Sequence, residues 1–507
     1  MYDSPALFAV AISPIDLVIV AVYLAGTTLL GIWLGRGQAD NRDFFLGAHQ
    51  LPTWALLVSI VATETSTVTF LSVPGKAYVE GGNFTFLQIA FGYIVGRLAI
   101  IAFLLPAYFR GEMLTAYQVL EQRFGVSTRR LASLVFLVTR NLADGLRLFL
   151  TALALNIALE FDMLTCILVT TAATAIYSCA GGVRSVVWND CIQFAVYMLG
   201  AIVAAGLLIS QLPGGWGQLV AFGQSTGRWR LFDFDPLLTK SSMTFWAGCI
   251  GGGFLSLATH GADQLIVQRY LCAKSRSAAS WALGLSGLVV FAQFALFLFI
   301  GVELACFNEA TGGIGANVGG DEAFMTYVVN HMGVGLKGLV FAAVLAAAMS
   351  TLASSLNSSA SSLVGDWLSR ILPPLDGRKS LLLSRGLTIA FAAVQCAVAI
   401  FAYRMATSEG AEFFHIVDAV LIIAGFAIGL LLGLYALGLM SPRTSEPVAL
   451  AAFAAGAGVT SWVAFLAPFR INGFWYTLVG SGTIVIVGLV LTMIFDRGAA
   501  GTIAESE

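Results

Sequence analysis

A stretch rich in hydroxyl groups interrupts an otherwise apolar part of the chain, LLVSIVATETSTVTFLSVPG. Most positions from Ser59 to Thr69 are polar, and one of them is a carboxylate, Glu64. One interpretation is a Ser/Thr-rich face that packs against another membrane helix. The other is a broken helix whose freed backbone groups bind an ion or a solute. Glu64 favours the second interpretation, because a buried carboxylate costs a few kcal/mol and needs a partner.

A second polar face lies in the stretch AAAMSTLASSLNSSASSL. Small and hydroxyl residues recur there at the spacing of one helix face: Ala347, Ser350, Thr351, Ser354, Ser358 and Ser361. Hydroxyl and carbonyl oxygens are hard neutral ligands that suit a small monovalent cation, whereas a carboxylate-rich cage suits Ca²⁺ or Mg²⁺. A seam of small residues for close helix packing is the alternative.

Charged residues inside apolar runs are further candidates for functional residues. Arg140, Asp144 and Arg147 share one helix face, since they are spaced i, i+4, i+7. They could form a structural ion cluster, recognise a solute or act in gating, and the sequence leaves these roles open. His260 and Asp263, in the motif THGADQ after a glycine-rich stretch, are candidates for solute contact or gating as well.

Asp190 follows GGVRSVVWN at the start of another apolar run. An acid at the N-terminus of a helix is often only a cap, so this residue type alone does not establish a functional role.

Composition excludes several classes of protein. Hydrophobic residues make up 58% of the 507 residues and charged residues only 11%, so a soluble enzyme or a disordered chain is not expected. The formal net charge of −2 predicts no nucleic-acid partner. The cysteines and the four histidines form no metal motif, and no phosphate loop or nucleophile elbow is present, so we expect neither an enzyme nor an organic cofactor.

The elements that position these residues are long apolar runs. Thirteen predicted segments cover 14–35, 50–72, 83–109, 128–159, 162–180, 187–210, 243–264, 279–306, 335–366, 382–404, 413–440, 448–468 and 474–495. Each is long enough to cross the bilayer, and only helices can do so with open ends. The sequence therefore predicts an all-α polytopic membrane protein that forms a single transmembrane domain over 1–507.

Segments two and seven are both interrupted, the first by polar residues and the second by glycines such as Gly248 and Gly253. Segment seven begins five segments after segment two. Because successive segments cross the membrane in opposite directions, an odd offset means that these two run in opposite directions. Interrupted helices at equivalent positions of two inverted units indicate a transporter site near the membrane midplane. Close packing through small residues is the alternative for the glycines.

Arginine and lysine are more frequent in the loops after odd-numbered segments and in the C-terminal tail than on the other side. This bias predicts an N-terminus outside and a C-terminus in the cytoplasm. The N-terminal residues have no basic region and no cleavage site, so the first segment is expected to stay as an uncleaved anchor.

The chain resembles the bacterial sodium:solute symporter family, which includes relatives of sodium–galactose, sodium–proline and sialic acid transporters. The matching stretches are ATETSTVTFLSVPGKAY, RGEMLTAYQVLEQRFG, YSCAGGVRSVVWNDCIQ, DQLIVQRYL and AAAMSTLASSLNSSASS. The resemblance implies a leucine-transporter-type fold of two inverted five-helix repeats. These would be 50–210 and 243–440, with 14–35 and 441–507 peripheral. It also implies a bacterial inner-membrane location, and we expect a functional monomer.

By resemblance, a sodium site would lie between segments two and nine. Its ligands would be backbone carbonyls of Ala62, Thr65 and Ala347 and the hydroxyls of Ser350 and Thr351. Asp190 matches the acid of a second sodium site, with Ser350 and Ser354 in support. Ala353 stands where that site has another serine, so the number of sodium ions per cycle is left open.

The resemblance places the solute pocket at Glu64, Ser66, Thr69, Phe84 and Gln88. The carboxylate-binding arginine of the sialic acid transporters falls on Ala143, between Arg140 and Arg147. The gate tyrosine of the galactose transporter falls on Thr259. The identity of the solute therefore does not carry over.

The predicted function is sodium-coupled symport of a small polar organic solute by alternating access. A sugar, polyol or sialic-acid-like solute is favoured, because an uncompensated Glu64 would attract hydroxyl groups and repel a plain carboxylate. A proton-coupled symporter in which Glu64 or Asp190 titrates is the alternative. A transporter-like solute sensor is less favoured, since a short tail after the last segment is not a signalling domain.

Overall fold

The structure, a computed structural model, describes residues 13–36, 38–111, 113–159, 161–237, 243–315, 318–373, 376–409, 411–469 and 471–495. At residues 68, 157–159, 408–409 and 411–421 it describes the backbone alone. Both chain ends, to which the predicted orientation refers, lie outside the described residues.

Within these ranges the fold is all helical. The α-helices in chain order are α1 (Pro14–Leu34), α2 (Asn41–Leu46), α3 (Thr53–Glu64), α4 (Thr67–Tyr78), α5 (Gln88–Ala99), α6 (Leu105–Tyr108), α7 (Gln118–Arg123), α8 (Val126–Leu159), α9 (Met163–Gln211), α10 (Gly215–Ser225), α11 (Gly252–Gly261), α12 (Gln264–Leu271), α13 (Arg276–Thr311), α14 (Gly320–His331), α15 (Leu336–Ser362), α16 (Ser369–Ile371), α17 (Gly377–Glu409), α18 (Ala411–Met440), α19 (Glu446–Ser461) and α20 (Tyr476–Phe495). Short 3₁₀ or π turns occupy Gly47–His49, Phe84–Leu87, Ile100–Leu104, Ala247–Gly251, Leu363–Leu368, Trp462–Leu466 and Gly473–Trp475.

Nine helices in the described ranges are long and apolar enough to cross a membrane, or up to ten if one bent pair counts as a single span. That pair is Asn41–His49 with Thr53–Glu64, which meet at 114°. The predicted all-helical membrane protein is therefore confirmed. The total of thirteen spans stays a prediction, partly because α9 contains two predicted segments in one helix.

The predicted boundary between segments five and six coincides with a kink in α9. Helix α9 runs from Met163 to Gln211 and leaves helical geometry only at Gly182, where φ is 53° and ψ is −151°. Glycine adopts this positive φ at little cost, so one residue turns the chain and no loop is needed. A side chain at Gly182 would also collide with the backbone oxygen of Phe44.

Segment two is broken in the structure, as the polar stretch predicted. Helix α3 ends at Glu64, and Thr65 (ψ 107°) and Ser66 (ψ 169°) are extended before α4 begins. The Ser66 hydroxyl caps α4 by accepting a hydrogen bond from the Thr69 amide. The last carbonyls of α3 therefore have no partner in a following turn of helix.

Segment seven is also interrupted, by a π turn at Ala247–Gly251 and again at Ala262 and Asp263, directly after Gly261. Asp263 caps α12 by accepting from the Leu265 amide at 2.9 Å, so the span continues beyond its predicted end. The glycines also serve close packing, because a side chain at Gly248 would meet the backbone of Gln88.

Helix α15 is the centre of the bundle. Every residue from Val340 to Ser362 is buried, although many are serines and alanines. Small side chains let α1, α8, α9 and α17 approach this helix closely. Helices α3, α8, α11, α15 and α18 then surround one cavity.

Candidate functional site

A cavity of about 400 Å³ lies beside the break between α3 and α4. Its walls come from α3, α4, α5, α8, α11, α12, α15 and α18. The lining residues are Thr63, Glu64, Ser66, Thr69, Tyr93, Phe136, Thr139, Arg140, Ala143, Arg147, Leu255, Thr259, His260, Asp263, Leu265, Ile266, Thr351, Ala424, Gly425, Ile428 and Leu431. Helices distant in sequence thus bring most of the predicted solute and gating residues to one place.

Glu64 is paired, which the sequence did not predict. Its carboxylate forms an ion pair with Arg97 of α5, whose side chain is 1% exposed against 17% for Glu64. Arg97 Nη2 also lies 3.0 Å from Nε2 of His260, and this ring nitrogen lies 3.4 Å from the Glu64 carboxylate. On the other side of the ring, Nδ1 lies 2.9 Å from the Thr259 hydroxyl. Arg97 compensates the charge of Glu64 and fixes the histidine in the wall of the cavity.

The charged face of α8 forms the predicted ion cluster. The Asp144 carboxylate lies 2.8 Å from Arg140 Nε and 2.7 Å from Arg147 Nη1. Arg140 also lies 3.5 Å from the Asp263 carboxylate, which links α8 to the break in segment seven. Asp144 is fully buried beneath the two arginines, so it orients them and does not line the cavity itself.

The two arginines differ in exposure. The side chain of Arg140 is 11% exposed and that of Arg147 is 34% exposed. Among the described residues, Arg147 donates only through Nη1, to Asp144. Its other nitrogens are free to bind an anionic group in the cavity, close to the hydroxyls of Ser66 and Thr69.

The predicted sodium ligands gather where segment two breaks. Thr351 Oγ1 donates to the carbonyl of Thr63 at 3.2 Å, which places this face of α15 against the end of α3. Thr65 is buried and its hydroxyl is held by Val61 and Gln293. Carbonyl and hydroxyl oxygens are the type of ligand that suits a small monovalent cation.

The other predicted sodium ligands are also buried. Ala62, Ala347 and Ser350 have no solvent exposure, and the Ser350 hydroxyl makes no hydrogen bond of regular geometry with any described residue. A buried oxygen without a donor is the kind of atom that an ion or water satisfies.

Asp190 does not act as a helix cap, because it lies inside α9 and accepts hydrogen bonds from α3. Ser59 donates to its Oδ2 at 2.5 Å and Thr63 at 3.4 Å. Arg269 of α12 lies 3.5 Å from the same oxygen and donates to Ser354. Two of the three predicted second-site residues therefore already contact a guanidinium.

The second carboxylate oxygen of Asp190, Oδ1, has different surroundings from Oδ2. Among the described residues, Oδ1 of Asp190 accepts no hydrogen bond, and neither does the hydroxyl of Ser350. The Asp190 carboxylate and the Ser350 hydroxyl are close enough to interact with each other. A second sodium site at these residues stays a prediction.

Phe84 and Gln88 do not line the cavity. The ring of Phe84 packs against Trp229, with centroids 5.6 Å apart. Gln88 is fully buried, and its amide nitrogen donates to the carbonyls of Thr85 and Met243 at 2.9 and 3.1 Å. Its amide oxygen accepts from the backbone of Asp233. The amide of Gln88 thus fastens backbone segments to α5, and the predicted solute role of these two residues is not supported.

Sequence reasoning missed Arg97 and Arg269, the partners of Glu64 and Asp190. A signal was available for Arg97, since a basic residue inside an apolar segment is rare and almost always faces a partner. Arg269 lies between two predicted segments and carried no such signal. The sequence gives no means of matching each arginine to its carboxylate, because the pairs are far apart along the chain.

Comparison with known proteins agrees with this arrangement. The profile of a family described as the sodium:solute symporter family matches residues 44–456. A sodium/sialic acid symporter of Proteus mirabilis is 28% identical over 500 residues, which cover 96% of each chain. A sodium-coupled monocarboxylate transporter 2 of Danio rerio is 28% identical, over 90% of this chain and 73% of that one. The human sodium/iodide cotransporter is 27% identical, over 89% of this chain and 69% of that one.

Among solved structures, a substrate-bound, outward-open sodium-coupled sialic acid symporter superimposes with a TM-score of 0.86. It is 25% identical, and the alignment covers 95% of this chain and 98% of that one. The matching proteins are transporters and not enzymes, and they use sodium as the coupled ion. The transported partners are thus sodium and a small solute, carried by a multi-pass membrane protein. With a profile match over most of its length, a broken second segment and a central polar cavity, this chain belongs to the sodium:solute symporter family.

Proposed function

We propose that this chain is a symporter that uses the sodium gradient to import a small organic anion with one carboxylate. The observation that carries the proposal is the charge of the cavity wall. Glu64 is neutralised by Arg97, while Arg147 presents a guanidinium that is one-third exposed. A carboxylate can receive two parallel hydrogen bonds from such a group.

The charges around the cavity otherwise balance. Arg140 and Arg147 face Asp144 and Asp263, so the cavity carries no net charge that would exclude an anion. The positive and negative charges are not equally accessible from the cavity. The carboxylates of Asp144 and Asp263 are almost fully buried, whereas Arg147 is accessible. Contrary to the expectation from sequence, the geometry at Glu64 gives no reason to prefer a neutral sugar or polyol over a carboxylate.

The names of the relatives support the same class of solute. Those compared are called transporters of monocarboxylates, iodide and sialic acid, and each of these is an anion. The cavity lining also includes the apolar side chains of Phe136, Ile266, Ile428 and Leu431. A carboxylate with a small ring or a short apolar tail would match both kinds of lining residue.

Coupling would follow from the position of the sodium ligands. A sodium ion held by the carbonyls of Ala62, Thr65 and Ala347 and the hydroxyls of Ser350 and Thr351 ties α3 to α15. This favours one of two conformations of the cavity, and the solute then binds to the favoured state. One Na⁺ that moves down a potential of 100 mV supplies about 2.3 kcal/mol, which sustains roughly a 50-fold solute gradient.

We also propose the arrangement in the membrane. Thirteen spans would contain two inverted repeats, 50–210 and 243–440, with 14–35 and 441–507 at the periphery. A bacterial inner membrane, an external N-terminus, a cytoplasmic C-terminus and a monomer complete the proposal. The broken α3–α4 and α11–α12 pairs support the repeats, because they occupy equivalent places in the two units.

An uptake screen in proteoliposomes tests the proposal. The solutes are short monocarboxylates, sialic acids, neutral sugars and polyols, each with an inward gradient of sodium or choline. We expect sodium-dependent uptake of a carboxylate. Preferred uptake of a neutral polyol, or equal uptake in sodium and choline, would overturn the proposal.

Variants of Arg147 then locate the carboxylate. Arg147→Gln should raise the KM for the solute at least tenfold, while Arg147→Lys should recover part of the loss because it restores the charge. The matched control is Arg36→Gln, since Arg36 is exposed just beyond the end of α1. An unchanged KM in Arg147→Gln would place the carboxylate elsewhere.

A further inference from the structure

Helix α13 carries a carboxyl group that the transport cycle described above does not use. Glu303 has no solvent exposure, and neither of its oxygens has a hydrogen-bond partner among the described residues. We propose that Glu303 is a proton-binding site, which holds a proton in this conformation and releases it when the contact between α13 and α4 opens.

The other buried carboxylates differ from Glu303 because each has a described partner. The pairs are Glu64 with Arg97, Asp144 with Arg140 and Arg147, Asp190 with Arg269, Asp263 with Arg140, and Asp366 with Arg129. Asp16 instead accepts from the backbone amides of Gly335 and Gly338 at 2.8 and 2.7 Å. Glu303 alone among these buried acids has neither an arginine nor an amide within hydrogen-bond distance in the described ranges.

An ionised carboxylate without a donor is very costly in an apolar, water-free place. The neutral acid costs far less, because it carries no charge to desolvate. A bound proton therefore lowers the free-energy cost of burying Glu303 between the helices. The two acids that the sequence suggested for proton coupling, Glu64 and Asp190, are each beside an arginine and are poorer proton carriers.

The groups that face Glu303 do not supply a positive charge. Cys306 on α13 and Tyr327 on α14 are the titratable groups that interact with it electrostatically. The Tyr327 hydroxyl donates to Gln211 of α9 at 3.0 Å. Next to Tyr327 on α14, His331 stacks on the tyrosine ring and has its Nε2 2.8 Å from the carbonyl of Gly313.

The charged groups on the other packed elements are exposed or engaged elsewhere. Lys76 of α4 is exposed, and Asp190 of α9 faces Arg269. From α4, Tyr78 accepts a hydrogen bond from Asn308 at 3.2 Å. Beyond it, Arg228 donates to backbone carbonyls at the end of α4 and interacts electrostatically with Glu309. Deeper in the bundle, α3 and α5 present only the Glu64–Arg97 pair described above.

The position of Glu303 links its proton to the moving part of the bundle. Two residues before it, Gly301 packs directly against Pro74 of α4, where no side chain would fit. Helix α4 is the detached half of the broken segment, so a shift of α4 relative to α13 would let water reach Glu303. The packed conformation binds the proton and the open one releases it, so the packed conformation loses stability as pH rises.

The first test needs no solute. The thermal midpoint of the purified protein should fall as pH is raised from about 6 to about 9, and Glu303→Gln, which mimics the neutral acid, should remove this dependence. Glu309→Gln, on the exposed end of the same helix, is the matched control and should keep it. Identical pH profiles for the unaltered protein and Glu303→Gln would overturn the proposal.

The second test is chemical. A hydrophobic carbodiimide reacts with protonated carboxyl groups in apolar surroundings, so peptide mass spectrometry should find the adduct on Glu303 and not on Glu64 or Asp190. A labelled Glu64 with an unlabelled Glu303 would overturn the proposal.

A third measurement rests on the proposed function. Sodium-driven uptake by the unaltered protein should decline by up to about tenfold per pH unit in the alkaline range, and Glu303→Gln should be flat. Absence of any uptake would refute the symporter and leave the melting and labelling results to decide on Glu303. Parallel alkaline declines in both proteins would refute the proton site and leave the symporter intact.

Discussion

The pair formed by Glu64 and Arg97 allows a quantitative prediction. Two unit charges about 4 Å apart attract by about 4 kcal/mol at an effective dielectric constant of about 20. The Arg97 side chain is 1% exposed, so water cannot replace a lost partner. Glu64→Gln or Arg97→Gln alone should therefore lower the free energy of unfolding by about 3–5 kcal/mol, because each leaves one buried charge unpaired.

The double variant Glu64→Gln/Arg97→Gln removes both charges. It should cost less than the sum of the two single variants, with a coupling energy of about 2 kcal/mol or more. Denaturant unfolding of the detergent-solubilised protein at fixed pH measures this cycle. The control pair is Asp376 with Lys379, at 3.7 Å and largely exposed, for which we expect no measurable coupling. Additive losses at Glu64 and Arg97 would refute the pairing and return Glu64 to the role of an unpaired solute ligand.

Three further predictions concern sodium and pH. Thr351→Ala should raise the sodium concentration for half-maximal uptake severalfold, because the Thr351 hydroxyl lies 3.2 Å from a carbonyl at the end of α3. An unchanged sodium titration in this variant would show that Thr351 is not a sodium ligand. Asp190→Asn should lower sodium cooperativity and leave the ranking of solutes unchanged, whereas a changed ranking would place it in the solute cavity. Burial raises the pKa of Glu121, but Arg129 and Arg370 outweigh burial and lower it below 4.5. The stabilisation from Glu121 is therefore present above about pH 4.5 and is lost as pH falls through the lowered pKa. Glu121→Gln should make the free energy of unfolding depend less on pH in the acid range. Identical acid unfolding curves for the variant and the unaltered protein would contradict this.

Much of the architecture can be predicted from sequence because a bilayer restricts the choices. Lipid cannot satisfy a free amide or carbonyl, so long apolar runs must be helices. For the same reason, polar residues from Ser59 to Thr69 in such a run predicted the break that the structure shows after Glu64. The predicted boundary between segments five and six falls at Gly182, where one residue suffices to turn the chain.

The composition of the cavity was partly predictable as well. Hydroxyl and charged residues have no use on a lipid-facing surface, so Ser66, Thr69, Arg140 and Arg147 were identified before their contacts were known. Gln88 does not line the cavity, and an amide that satisfies distant backbone groups has the same sequence signature as one that binds a solute.

The amino-acid pattern is enough to indicate an all-helical membrane transporter with two interrupted segments and oxygen-rich faces that suit sodium. Which charges are available to a solute depends instead on the tertiary structure. Glu64 and Arg97 are 33 residues apart, and Glu64 and His260 belong to different predicted repeats. Their pairing depends on how helices pack, which local spacing does not encode. Among the residues that the structure describes, the same packing gives Glu303 no hydrogen-bond partner, because a carboxyl group is compensated or isolated only by the residues that the fold brings beside it.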